Sequence, residues 1–217
     1  MARGRAFFAG LLLALASTQA AAAPPAPAAE FGKEQASHDV RQVADWIVET
    51  SDNNSAGKYG LPFAILDKKN AKVFVFHPDG RLIGAAPALL GLGRGDVAKP
   101  GIGAQELSAI APKDRVTQAG RFVSDIGVDS HGDDVLWLDY DGGLAMHRVI
   151  TTNPRERRAH RLATPSALDN RISWGCINLP VKFYETVVQP AFTGTKGIVY
   201  VLPENKAPLA FFTENPA

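Results

Sequence analysis

One cysteine in 217 residues is too few for an intramolecular disulfide, so the domain must be held by its core rather than by cross-links. An excess of charge of one sign is missing as well, with 23 basic residues against 22 acidic ones. That balance argues against nucleic acid or an anionic membrane surface as the main partner. Beyond the first 16 residues no apolar run approaches the ~20 residues a membrane-spanning helix needs. There is no internal repeat, no heptad and no Gly-x-Ser-x-Gly, which removes the coiled-coil and serine-hydrolase readings. The five histidines are scattered, none at ligand spacing from the cysteine, so no metal site is expected.

What is present begins with an export signal. Arg3 and Arg5 precede the apolar run "AFFAGLLLALA" (6–16), and small residues follow in "STQAAAAPP". Basic start, short apolar run and small-residue cleavage region describe a secretory signal peptide over 1–23. The expected location is therefore the periplasm, with no transmembrane segment in the mature chain. No cysteine follows the run, so no lipid-attachment site is there. Residues 24–36, opening on "PPAPAA", read as a disordered mature N-terminus. Roughly 190 residues remain, a size that fits one domain with a full core.

"SHDVRQVADWIVET" (37–50) places Val40, Val43, Ala44, Ile47 and Val48 on one helix face, with Ser37 as N-cap. A cover helix and its loop are thus expected over 37–60. From 61 to 205 the pattern turns to strands: "FAILD" (63–67), "AKVFVFH" (71–77), "RLIGAA" (81–86), "RVTQAGRFVSDIGV" (115–128), "DVLWLDY" (134–140), "LAMHRVI" (144–150) and "GIVYVL" (197–202). The first three read as consecutive antiparallel strands, and "VKFYETVVQPAF" (181–192) as a helix ended by Pro190 and Gly194. "GLGRGDVAKPGIG" (91–103) lacks the context of a dinucleotide fingerprint and reads as a flexible surface loop. Residues 151–171, with "NPRERRAHR", read as an exposed basic excursion, and 206–217 as a C-terminal tail. The fold class expected is mainly β (α+β) with a few peripheral helices.

Cys176 lies in "RISWGCINLP" (171–180). A cysteine attacks as thiolate, and an unassisted thiol is mostly protonated at neutral pH, so a catalytic one needs a nearby base and donors for an oxyanion. Gly175 lets backbone approach a substrate, and the amides around Gly175 and Cys176 are candidate oxyanion donors. An inert buried cysteine is the open alternative. Among the histidines, His38, His77, His131 and His160 fall at element ends or in polar segments. His147 instead interrupts the apolar strand "LAMHRV" and is the candidate base, with a satisfied core histidine as the alternative.

"SWGCIN" downstream of a strand-borne "MHR" resembles the signature of the L,D-transpeptidases, a histidine followed by Ser/Thr-x-Gly-Cys-aliphatic-Asn/Arg. "ILDKKNAKVFVFHPDGRLI" is similar to the family's opening hairpin, and "TQAGRF" to its Thr-Pro-x-Gly-x-Phe element, so the likeness covers roughly residues 61 to 202. The resemblance implies a β-sandwich catalytic domain in which Cys176 attacks the L-to-D carbonyl of a peptidoglycan stem peptide. D-alanine leaves, and the thioester acyl group passes to an acceptor amine. It further implies His147 as proton acceptor and then donor, with a backbone carbonyl orienting the imidazole. Gly175, Trp174 and Ser173 would shape the oxyanion loop, and Asn178 would brace it or touch substrate. No cofactor is implied.

The chain departs from the family pattern at three places. Trp174 stands where many members have histidine, Gln118 replaces a proline, and the interval from His147 to Ser173 is longer than usual. Trp174 could be an aromatic wall or simple packing. The added residues carry Arg155, Arg157, Arg158 and Arg161, for which contact with stem-peptide carboxylates and plain solvation are both open. Arg148 is a second candidate substrate contact. Three outcomes stay open: stem-to-stem cross-linking or anchoring of an outer-membrane lipoprotein, hydrolysis of the same thioester by an L,D-carboxypeptidase or endopeptidase, and a non-catalytic peptidoglycan-binding module.

Overall fold

The computed structural model describes residue 1, residues 28–50 and residues 60–214. Apart from Met1 the expected signal peptide lies outside the described residues, as does segment 51–59 after the first helix. The strands are β1 (Phe63–Asp67), β2 (Lys72–Phe76), β3 (Leu82–Pro87), β4 (Leu90–Gly91), β5 (Gly120–Val128), β6 (Asp134–Asp139), β7 (Leu144–Arg148), β8 (Arg171–Ser173), β9 (Ile177–Leu179) and β10 (Gly197–Val201). Eight of them form one sheet in the order β3-β2-β1-β10-β5-β6-β7-β9, and β4 pairs with β8 alongside. The mainly β class expected from sequence is the class observed. Antiparallel neighbours β1, β2 and β3 also appear as expected, but the sheet is mixed, because β10 runs parallel to β1 and β9 parallel to β7.

β5 joins the two halves of the sheet. Its residues Gly120 to Ser124 pair with β10, while Asp125 to Val128 pair with β6, so one long strand belongs to two half-sheets. Side chains alternate along a strand, which sends Val73 and Val75 of β2 and Val199 and Val201 of β10 to the inside. There they meet Leu136, Met146, Ile177 and Leu179 from the other half. The inner core is therefore shared by both halves, as in a sandwich.

The alternate positions, Phe63 and Ile65, Phe74 and Phe76, Ile198 and Tyr200, face the opposite way into a second core. α1 (His38–Thr50) covers it with Val40, Val43, Ala44 and Ile47. Ser37 Oγ accepts from Val40 N (3.3 Å) and donates to Asp67 Oδ2 (2.7 Å), tying the helix start to the end of β1. α1 makes this cover together with α5 (Pro208–Glu214), which occupies the segment expected as a tail and buries Phe212 against Trp46 and Tyr200. Burying such a ring is worth about 1.5–3 kcal/mol, enough to fix a helix of about two turns that has little propensity alone. Nor is the mature start disordered throughout. From residue 28 it is ordered, with Glu30 bridged to Arg81 and Phe31 buried edge-on against Phe74 and Phe76.

The remaining helices flank the site. α2 (Arg158–Ala163) stands in the excursion after a 3₁₀ turn, Pro154–Glu156. On the inner core lie α3 (Val181–Phe183), a π turn over Tyr184–Val188 and α4 (Gln189–Phe192). Pro190, expected to help end this helix, is instead passed within it. Proline has no N–H to give the turn before, and the widened π turn immediately upstream absorbs the missing bond.

Candidate active site

Cys176 sits in the three-residue connection between β8 and β9 and is half-buried. The connection is pinned on every side. Ser173 Oγ donates to Cys176 O (2.6 Å) and accepts from Gly175 N (3.2 Å), closing a small turn. Gly175 O accepts from Thr117 Oγ1 (2.7 Å), and the same hydroxyl accepts from Gly91 N (2.8 Å). Gly175 has φ +136°, and a Cβ there would lie 3.1 Å from Val116 O, so no other residue fits without strain. Gly91 and Gly93 are required by closeness too, since a Cβ would fall 2.1 Å from Arg115 O and 2.5 Å from Lys113 O.

His147 and Asn178 are register partners on the parallel strands β7 and β9. The imidazole Nδ1 lies 2.7 Å from Arg148 O, an acceptor only, so Nδ1 carries the proton and Nε2 the lone pair. Asn178 Nδ2 donates to that lone pair at 3.2 Å and to Cys176 O at 3.3 Å. Asn178 Oδ1 accepts from Arg158 Nη1 at 2.6 Å, and Arg158 Nε is held by Glu156 Oε2 at 2.5 Å.

The sulfur and the imidazole thus border one cavity but keep different partners. Cys176 Sγ donates to Gly143 O at 3.3 Å, while Nε2 faces Asn178. Burial pushes the thiol above its ordinary value, opposed by the backbone N–H of Ala145, the Arg158 charge and the cysteine's own N–H. Burial also pushes His147 below the ordinary imidazole value. The Arg148 carbonyl opposes this, Arg158 reinforces it, and Asp129 and Asp133 oppose it. The resting pair is neutral thiol and neutral imidazole.

Two cavities meet at Cys176, with Trp174 lining both. The narrower, about 90 Å³, is walled by Ile102, Gly103, Val116, Gln118 and Gly143. The wider, about 350 Å³, is walled by His147, Thr152, Asn153, Glu156, Arg158 and Asn178. Trp174 is held by Nε1 donating to Leu107 O (2.9 Å) and by the Arg115 guanidinium 4.7 Å from its ring centre. The glycine-rich loop, read from sequence as a flexible surface segment, is in fact a wall of the narrower cavity. Its Asp96 is anchored by the buried Lys68 at 2.9 Å.

Several candidates land elsewhere than expected. Arg148 lines neither cavity. Strand alternation turns it away from Cys176 to pair with Asp134 (2.9 Å) and Glu185 (3.0 Å) and to cover the Tyr184 ring. Its guanidinium is thus already engaged by two carboxylates outside both cavities at Cys176. The Gly175 amide, expected at an oxyanion, is occupied by Ser173 Oγ. The excursion is not simply solvated: its Arg158 is 7% exposed and reaches the site, whereas Arg155 and Arg157 are exposed and outside both cavities. His38, His77, His131 and His160 are exposed and line neither cavity. Thr117 was legible only as the first residue of "TQAGRF", and the depth of Arg158 had no signal in a run of four arginines. Among the described residues no helix is long and apolar enough to cross a membrane.

No family model matches the chain, and no curated protein does. Among solved structures it is similar to the helical cell-shape-determining protein Pgp2 of Campylobacter jejuni, at 17% identity, TM-score 0.45, over 76% of this chain and 56% of that one. It is also similar to an L,D-transpeptidase of Xylanimonas cellulosilytica, at 15% identity, TM-score 0.41, over 66% and 61%. A third likeness is to the catalytic domain of the E. faecium L,D-transpeptidase, at 17% identity, TM-score 0.32, over 65% and 95%. The chain spans less than two thirds of the length of the first two.

Proposed function

We propose that this protein is a cysteine acyltransferase of the L,D-transpeptidase type, acting on peptidoglycan stem peptides in the periplasm. The observation that carries the reading is the meeting of two cavities at one half-buried sulfur, with an imidazole lone pair facing one of them. A transferase needs a donor and an acceptor to reach the same atom from two directions. The motif "SWGCIN" supplies the substrate class by its resemblance.

The chemistry follows from the hydrogen bonds. When a stem peptide enters, the S–H turns from Gly143 O and gives its proton to His147 Nε2, displacing the Asn178 amide. The thiolate adds to the L-to-D carbonyl. The Ala145 and Cys176 N–H groups, which act on the sulfur in the resting site, would receive the developing oxyanion in place of the occupied Gly175 amide. The C–N bond breaks, D-alanine leaves with the proton from Nε2, and a thioester remains. An acceptor amine then attacks, losing its proton to Nε2, and the thiol re-forms.

Incubating the protein with a tetrapeptide stem and a free D-amino acid tests this. Exchange of the terminal residue is the expected product. Tripeptide alone would assign the thioester to water and make the protein a hydrolase. No product, with no carbapenem adduct on Cys176, would leave only a binding module.

A further inference from the structure

We infer that Arg158, in the excursion between β7 and β8, is a positioning residue that sets the proton arrangement of His147 through the side-chain amide of Asn178. The inference rests on His147 being the base proposed above, and deepens that reading.

An asparagine amide has one accepting end and one donating end, and neighbours decide which faces which way. Arg158 Nη1 can only donate, and at 2.6 Å it holds Oδ1. The donating end is thereby turned to His147 Nε2, which must accept, so the proton sits on Nδ1 facing Arg148 O. Turning the amide over would place Nδ2 against the guanidinium, donor against donor. Glu156 removes the other freedom by holding Nε at 2.5 Å, and the guanidinium packs 5.8 Å from the Trp174 ring centre. Asn178 has no freedom of its own, since its backbone N–H and carbonyl both pair with Leu89, at 2.9 and 2.8 Å. It is 1% exposed, which keeps water from replacing either partner.

Without Arg158 only the long Nδ2 bond to Cys176 O (3.3 Å) opposes turning the amide over, and Oδ1 can be presented to Nε2. That arrangement needs a proton on Nε2, and with Arg148 O still taking the one on Nδ1, the stable form becomes imidazolium. An imidazolium cannot accept the thiol proton. The other charged groups around the ring are Asp129 and Asp133 from the β5–β6 turn, Asp134 and Glu185 through Arg148, and Glu156 behind Arg158. These carboxylates favour imidazolium, so Arg158 is the cation that adds to burial in keeping the ring neutral from the side of the wider cavity.

The test is nitrogen-15 NMR of histidine-labelled protein, with the His147 signals assigned by loss in His147→Gln. In the unaltered protein Nδ1 is expected protonated and Nε2 bare near neutral pH. Arg158→Met should raise the His147 titration midpoint by about one unit or more. Arg158→Lys, which keeps a donor and the charge, should recover most of that shift. Asn178→Asp keeps the shape but can only accept, so it should raise the midpoint even where Arg158→Met fails to fold. An unshifted His147 in folded Arg158→Met, or in folded Asn178→Asp, overturns the inference. These readouts need no wall substrate. A protein inactive on stem peptides whose His147 still follows Arg158 sinks the transferase reading and leaves this one standing.

Discussion

His147 and Asn178 are neighbours across the parallel β7–β9 ladder, and the amide of one covers the lone pair of the other at 3.2 Å. Cys176 meanwhile points its thiol at Gly143 O. The site at rest is therefore a neutral, latched pair, unlike the thiolate–imidazolium pairs of thiol enzymes whose cysteine is activated before substrate arrives. Latching also protects a half-buried lone thiol, because a protonated sulfur is slow to oxidise.

The latch fixes a pH dependence. Burial lowers the His147 pKa, so the ring stays a neutral base below the ordinary imidazole value of about 6.5. The acid limb of kcat/KM on a tetrapeptide stem should lie below pH 6.5. Stability follows the same sign: the unfolded imidazole takes its proton first, so stability is lost as pH falls from about 6.5 towards the lowered folded value. An acid limb above 6.5 that disappears in His147→Gln would contradict the neutral pair.

Thr117 holds the nucleophile loop by one hydroxyl used twice, to Gly175 O at 2.7 Å and from Gly91 N at 2.8 Å. Thr117→Val keeps the shape and leaves both backbone groups buried without that partner. We expect a loss of about 2–4 kcal/mol in unfolding free energy, from roughly 1–3 kcal/mol per orphaned group. Carbapenem acylation of Cys176 should slow in the folded variant, measured by intact mass against time. Unchanged stability in urea titration would show that water or a neighbour replaces the hydroxyl.

Gly175→Ala meets two penalties at once, a φ of +136° and a Cβ 3.1 Å from Val116 O. Strain of this kind is worth about 1–3 kcal/mol, and relief moves the adjacent sulfur. Acylation should fall at least about a hundredfold, in keeping with the sensitivity of attack geometry to displacements of about 1 Å. A variant acylated at the original rate would mean the loop tolerates the shift.

Seven strands, the cover helix and the class of fold were legible because segments such as "KVFVF" and "GIVYV" are short continuous apolar runs between turn residues, the pattern of strands buried on both faces. Cys176 and His147 stood out by scarcity and by placement on an apolar strand. The rest depended on contacts distant in sequence. The two-sheet role of β5 follows from partners at 134–139 and 197–201, invisible in its own residues. Arg148 and Arg158 look alike in sequence, and only strand alternation and the position of Glu156 send one away from the sulfur and the other towards it. The last helix is held by Trp46 and Tyr200 rather than by its own composition, so its segment read as a tail.

The excursion now separates into two kinds of arginine. Arg155 and Arg157 are exposed and line neither cavity at Cys176. Charge reversal of both, Arg155→Glu with Arg157→Glu, should leave KM for a tetrapeptide stem within about twofold, since exposed charges outside both cavities are weakened by solvent and salt. A severalfold rise in KM would return these residues to the role of carboxylate contacts.

Trp174 gives the sharpest test of the two-cavity arrangement. It lines both cavities, and its Nε1–H is held at Leu107 O. Trp174→Phe keeps an aromatic ring there but gives up that bond, worth about 1 kcal/mol. Trp174→Ala removes the ring and opens both cavities at the sulfur. If donor and acceptor approach from the two sides, the alanine variant should still be acylated, yet water should reach the thioester more easily, raising the ratio of tripeptide to exchange product. The phenylalanine variant should keep the original ratio with a modest loss of stability. Equal product ratios in all three proteins would mean the ring does not separate the two approaches, and the narrower cavity would then be packing space beside the nucleophile rather than a route to it.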